Sequence, residues 1–171
     1  RGVELHLLQT EFRYTLSSMR FQNLKIQSLN SQVDGHLEFN YKREDLKDFS
    51  DKVQLKANFK NSTINLGELN VFFPEFGASE NVTFDTEIFG TLNNLSLENF
   101  QLKSNRNTLI DGQFNFVNLI DSKAKTFQMT SQINRLTSKH SDLKRILPRI
   151  LGENIPSNLA SLGLFTLKGN T

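Results

Sequence analysis

The chain has 171 residues, with 20 Lys and Arg against 18 Asp and Glu and a formal charge of +2, and the two signs are interspersed rather than blocked. That length suffices for one domain or a few structural repeats, and the mixture of charges excludes the basic stripe that nucleic-acid binding needs. Cysteine is absent, which excludes disulfides, thiolate metal sites and a Cys nucleophile.

No apolar run nears the roughly 20 residues of a membrane-crossing helix. The opening Arg1-Gly2-Val3 carries neither an initiator Met nor a signal peptide, so the sequence reads as one internal segment of a longer protein. After an alternating stretch around Leu5, His6 and Leu7, period-two patterning dominates. Val33, Leu37, Phe39 and Tyr41 alternate with Asp34, His36, Glu38 and Asn40. The spacing returns in Val53, Leu55, Ala57 and Phe59, then in Val82, Phe84 and Ile88. It returns again in Ile110, Phe114 and Phe116, and in Phe127, Met129 and Ile133. Each stretch predicts a strand with one dry and one wet face. The clusters Thr91-Leu92-Asn93-Asn94 and Ser104-Asn105-Arg106-Asn107 predict tight turns, and short connections imply antiparallel neighbours. Leu143, Ile146, Leu147 and Ile150 have the i, i+3, i+4, i+7 spacing of a helix, with Ser141 and Asp142 placed to cap it and Pro148 to end or kink it. The plain reading of that helix is a lid over a bare end or edge of a sheet.

The sequence also repeats. Val53 to Pro74 aligns without a gap onto Phe127 to Pro148 at an offset of 74, pairing Val53 with Phe127, Leu55 with Met129 and Phe59 with Ile133. The motif Asp34-Gly35-His36-Leu37-Glu38-Phe39 recurs as Asp111-Gly112-Gln113-Phe114-Asn115-Phe116. Phe89-Gly90-Thr91 answers Lys168-Gly169-Asn170 more loosely, the difference falling in the loop around Gly152 and Pro156. Two repeats of about 75 residues, approximately 23–98 and 99–171, account for these matches, as in an elongated array.

Chemistry is hard to find. His6, His36 and His140 form no pair with metal-ligand or acid–base spacing, and a surface role is the reading for each. Asp34 and Asp111 occupy equivalent places in two repeats, so a turn or bulge role beside Gly35 and Gly112 fits better than a carboxylate pair. Nucleophile elbow, Walker loop and dinucleotide fingerprint are missing from the sequence. Asn61-Ser62-Thr63, Asn81-Val82-Thr83 and Asn94-Leu95-Ser96 match the glycosylation triplet by chance in a chain rich in these residues. The expectation is a protein that is not an enzyme, with no catalytic residue, metal or cofactor. Phenylalanine occurs 15 times against two Tyr and no Trp, so the aromatic surface carries almost no polar handles. Such faces either close on a second sheet or line an apolar trough; the closed core is the commoner arrangement, and patterning alone does not separate them.

The stretches Ser141-Asp142-Leu143-Lys144-Arg145-Ile146-Leu147-Pro148, Ile155-Pro156-Ser157-Asn158-Leu159-Ala160-Ser161-Leu162-Gly163-Leu164-Phe165-Thr166-Leu167-Lys168-Gly169 and Ile88-Phe89-Gly90-Thr91-Leu92-Asn93-Asn94-Leu95 are similar to repeats in the N-terminal part of TamB-like proteins of Bacteroidetes. These belong to the wider AsmA-like family. The similarity runs from about Asn23 onward, and the first twenty residues match poorly. It implies an all-β fold, an elongated antiparallel repeat sheet (a β-taco, or U-shaped groove) with short helical lids. It further implies a protein that spans the periplasm of a Gram-negative envelope, from an inner-membrane anchor outside this sequence to an Omp85-family outer-membrane barrel of the TamA or BamA kind. The activity implied is phospholipid transport, with acyl chains in the groove. The alternative is a scaffold for assembly of outer-membrane or secreted proteins. The residues expected to line the groove are Leu37, Phe39, Leu55, Phe59, Phe84, Ile88, Phe114, Phe116, Met129 and Ile133.

Overall fold

Every strand in this chain carries one dry face, and each pairs with the next along the sequence. In the computed structural model, which describes residues 2–71, 76–78, 80–119, 126–146, 148, 161 and 163–170, nine strands form a single antiparallel sheet in chain order. They are β1 (Leu5–Tyr14), β2 (Ser18–Ser28), β3 (Gln32–Asn40), β4 (Gln54–Asn65), β5 (Asn81–Gly90), β6 (Asn94–Ser104), β7 (Leu109–Val117), β8 (Gln128–Lys139) and β9 (Leu164–Asn170). Helices are short: a 3-10 turn at Arg43–Asp48, α1 (Phe49–Lys52), α2 (Leu66–Asn70) and α3 (His140–Ile146). The fold is thus all-β, an elongated open sheet with helical lids. Among the described residues no second layer packs on it. The order β2, β3, β4, α2, β5 is followed by β6, β7, β8, α3, β9, and the internally similar segments open on β4 and β8.

Strict alternation does not survive along the even-numbered strands, and the departure organises the sheet. Each of β2, β4, β6 and β8 holds one extra residue near its middle relative to both neighbours, between Phe21 and Leu24, Phe59 and Ser62, Leu97 and Phe100, and Ile133 and Leu136. These are β-bulges. In three of them an Asn takes the left-handed conformation, Asn23 at φ 51, Asn61 at φ 50 and Asn99 at φ 49, which Asn tolerates better than other side-chain-bearing residues. The polar face helps hold them. Asn23 Nδ2 donates to Glu11 Oε1 at 2.7 Å, the Asn61 amide to Asp85 Oδ1 at 2.7 Å, and Asn134 Nδ2 in β8 to Asp111 Oδ1 at 3.1 Å.

A bulge pushes a backbone carbonyl toward the neighbouring strand, and the residue there must accommodate it. On β3 and β7 that residue is glycine. A Cβ on Gly35 would collide with the Asn58 carbonyl oxygen, and one on Gly112 would stand 2.5 Å from that of Gln132. On β1 and β5 a threonine meets a different carbonyl, the one directly before the bulge asparagine, with a hydrogen bond: Thr10 Oγ1 donates to Gln22 O at 2.8 Å and Thr86 Oγ1 to Glu98 O at 3.3 Å.

Both ends of the strands carry helices. At one end Phe49 of α1 packs on Phe39 with ring centroids 5.4 Å apart. The same helix meets the β5–β6 turn through the Asn93 amide to Ser50 O at 3.0 Å and Asn93 Nδ2 to Asp51 Oδ1 at 2.9 Å. At the other end Leu66 of α2, Val82 and Ile146 of α3 are 1–3% exposed and form a small core with Ile64, Leu69, Phe76 and Leu102 around it. Arg106 Nε and Arg145 Nη1 converge on the buried Glu80 carboxylate at 3.1 and 3.6 Å, tying α3 to this end.

Two details correct the sequence reading. Helix α3 begins at His140, so Ser141 and Asp142 lie in its first turn rather than capping it, and the buried Asp142 accepts from Asn107 Nδ2 at 3.5 Å. His140 is half-buried rather than a surface histidine, and its Nε2 is buried without a hydrogen-bond partner among the described residues. Phe72, Phe73, Pro74, Leu147, Ile150, Gly152 and the stretch from Ile155 to Ala160 lie outside the described residues.

Two measurements test this account. Gly112→Ala is expected to lose roughly 1–3 kcal/mol in urea unfolding, because the new methyl meets backbone rather than a movable side chain. Gly2→Ala, with nothing within 4 Å, should change nothing; equal stability of the two variants would overturn the close-approach explanation. The second concerns Glu68 of α2, which clasps the β2–β3 turn by accepting from the Ser28 and Ser31 hydroxyls and the Asn30 amide. Partial burial pushes its carboxyl pKa up, and these hydrogen bonds together outweigh that and hold it below the ordinary value. A depressed folded-state pKa adds stability above the unfolded pKa that is lost as pH falls through the folded one. Thermal stability of the wild type should therefore fall more steeply below the ordinary carboxylate range than that of Glu68→Gln; parallel curves would remove Glu68 from the acid response.

Candidate functional site

Directly paired residues in an antiparallel ladder share a face, so register alone assigns every strand residue a side. One row runs Tyr14, Met19, Phe39, Leu55, Gly90, Leu95, Phe116, Met129. The next runs Phe12, Phe21, Leu37, Ala57, Ile88, Leu97, Phe114, Ser131. Beyond the bulges the same face continues as Leu8 and Ile26 opposite each other, Phe84 beside Leu102, Ile110 beside Leu136, and Leu136 beside Leu167. The ten residues expected from the sequence to act together, Leu37, Phe39, Leu55, Phe59, Phe84, Ile88, Phe114, Phe116, Met129 and Ile133, all lie on this one face.

Sequence patterning missed roughly the other half of the surface. Phe12, Tyr14, Met19, Phe21 and Leu24 sit on β1 and β2, in the poorly patterned start of the chain. Phe100, Leu102 and Leu136 follow bulges that reverse the phase of the alternation. The signal was there to find: in β2, β4 and β6 an Asn falls where an apolar residue is due, and apolar residues resume one position late.

Aromatic rings tie neighbouring strands across the face. Phe12, Phe21 and Phe39 are linked at 4.9 and 6.4 Å between centroids, Phe59 and Phe84 at 6.3 Å, and Phe100, Phe114 and Phe116 at 5.2 and 6.5 Å. Such edge and offset contacts each add about 0.5–1.5 kcal/mol beyond area burial. Most residues in the middle of the face are half-buried by one another, while toward the two edges of the sheet exposure rises, to 55% for Phe12 and 48% for Met129. A contiguous apolar surface of this extent marks an interaction site rather than ordinary surface.

The opposite face is polar. It bears an open depression of about 460 Å³ beside the first bulge, where Arg20 Nε pairs with Glu38 Oε1 at 3.0 Å and His36 and Lys56 complete the wall. Among the described residues no cluster of three or more His, Asp or Glu side chains is placed to hold a metal ion, and no helix is long and apolar enough to cross a membrane.

Models of known protein families, curated proteins and solved structures give no match to this chain.

An uncovered face and a buried core respond differently to charge. Phe114→Asp is expected to keep the β-sheet circular dichroism spectrum, losing mainly its ring contacts to Phe100 and Phe116. Val82→Asp, at a site 3% exposed, should lose about 3–5 kcal/mol or fail to fold, because the charge is buried unpaired. A melted spectrum for Phe114→Asp would place that ring in a closed core.

Proposed function

We propose that this chain is a segment of a bridge-like protein that conducts phospholipid between the membranes of a Gram-negative envelope, the acyl chains lying on the apolar face. On this reading the parent protein spans the periplasm, is anchored in the inner membrane by parts outside this sequence, and meets an Omp85-family barrel at the outer membrane. The segment itself is a conduit without catalytic chemistry.

The observation that carries the reading is an apolar face continued by every one of nine strands and covered by no second layer among the described residues. Eight spacings of about 4.8 Å make it roughly 38 Å long across the strands, enough to lay an extended lipid tail along it. Each methylene kept from water on such a surface is worth about 0.8 kcal/mol. An unbroken face holds that value nearly constant from strand to strand, so a tail can slide without a large barrier. The Phe-rich, Trp-free composition suits hydrocarbon, since these rings offer no hydrogen-bonding group to arrest a headgroup. Short helices at the two strand ends border the face. A closed solenoid, the structural alternative, buries such surface inside, and the open sheet supports the conduit over it.

The test is native mass spectrometry of the segment purified from a bacterial envelope, with photo-crosslinking residues placed at Leu55 or Phe114 on the apolar face and at Gln113 on the polar face. The expected outcome is co-purified phospholipid with crosslinks at Leu55 and Phe114 only. Lipid-free protein, or equal crosslinking from Gln113, would overturn the conduit.

A further inference from the structure

Among the described residues no strand lies against the outer edge of β1, and the ladder behind it specifies what fits. Within the sheet a centrally bulged strand always alternates with one that has no central bulge. β1 belongs to the second kind; its only irregularity of its own lies near its start, between Leu5 and Leu7. Its internal counterpart is β5. Thr10 and Thr86 make the same hydrogen bond, to the carbonyl of the residue just before the bulge asparagine, Gln22 before Asn23 and Glu98 before Asn99. On its other side β5 pairs with the bulged strand β4, with Phe59 opposite Thr86 and Ala57 opposite Ile88.

Laying β1 on β5 by these threonines puts Leu8 at the place of Phe84, Phe12 at that of Ile88, and Glu11 at that of Glu87. Ala57 is the small partner that a large ring such as Phe12 needs. Glu87 accepts from Asn58 Nδ2 at 3.3 Å in the β4–β5 ladder; Glu11 stands at the same place, with Oε1 accepting from Asn23 Nδ2 and its second carboxylate oxygen left for such a donor. The apolar side chains of β1 are also the uncovered ones: Leu8 is 63% exposed and Phe12 55%, whereas Phe84 and Ile88 inside the sheet are half-buried.

We propose that the β1 edge is an acceptor for a strand of the β4 kind, apolar at alternate positions and carrying a one-residue bulge opposite Thr10. Bulge position acts as the register key. A strand without the extra residue matches β1 on one side of Thr10 and presents its polar face on the other, since a one-residue slip reverses every side chain. The backbone edge supplies affinity and the bulge supplies selection, a register-selective form of strand addition. This inference concerns the edge and is independent of what the apolar face carries.

The experiment uses the full chain and two synthetic peptides, one with the sequence of residues 53–66 and one lacking Asn61. Binding is read by fluorescence anisotropy and by hydrogen exchange of the amides of residues 5–14. The expected result is slowed exchange along β1 with the intact peptide and at least about tenfold weaker binding of the deleted one. Unchanged exchange in β1, or equal affinity of the two peptides, overturns the proposal. So does self-association of the chain through β1, which would pair two strands that both lack the central bulge.

Discussion

The extra residue in the middle of each even-numbered strand is the constraint on which the sheet depends. Without it the second half of a bulged strand would fall out of phase, exposing Leu24 and Ile26, or Phe100 and Leu102, on the wet side. The bulge resets the phase, so the same face stays apolar from one strand end to the other. It also imposes demands on the neighbours: beside the bulges of β4 and β8 a carbonyl comes so close that only glycine fits, at Gly35 and Gly112, and beside those of β2 and β6 the hydroxyls of Thr10 and Thr86 donate to the carbonyl before the bulge asparagine.

From this follows the distribution of stability. Apart from Ala57 in β4 and Leu24 in β2, the most tightly buried apolar residues do not lie in the middle of the strands. They lie where helices reach the strand ends, Leu66, Val82 and Ile146 at one end and Val53 at the other. Between them the face is held by the ladder hydrogen bonds and by ring contacts running from strand to strand. The ends therefore fix the strands in register, and the middle can remain uncovered without requiring a second layer. The charged side chains lie interspersed on the opposite, polar face.

Much of this was legible in the residues, and what was not has a physical cause. Alternation read the unbulged strands β3, β5 and β7 well, and the N-terminal halves of β4 and β8, because there the period of two is unbroken. It passed over β2, caught β1 only in the alternating stretch around Leu5, His6 and Leu7 and β6 only near Phe100-Gln101-Leu102, and passed over the C-terminal halves of β4 and β8, where asparagine-bearing or polar stretches interrupt the phase. The ten residues picked as acting together share one face because all of them precede a bulge or sit on a strand without one. The helix at Leu143 and Ile146 was readable from its spacing. Its start was misplaced because His140, which opens the helix, offers none of the usual capping chemistry that Ser141 and Asp142 advertise. Whether the dry faces meet a second sheet was beyond patterning, since a closed core and an open face ask the same of each strand.

The pairing of each strand with its chain neighbours alone has a further consequence. No strand waits for a distant partner, so the sheet can assemble like a zipper, and contact formation stays local despite the all-β composition. Energetically the molecule behaves as a one-dimensional lattice of nearest-neighbour couplings. In such a lattice each strand is stabilised by the one or two strands beside it, so opening can proceed strand by strand. A lattice of this kind has no intrinsic length, and copies of the unit can be added or removed in evolution at little cost to those that remain.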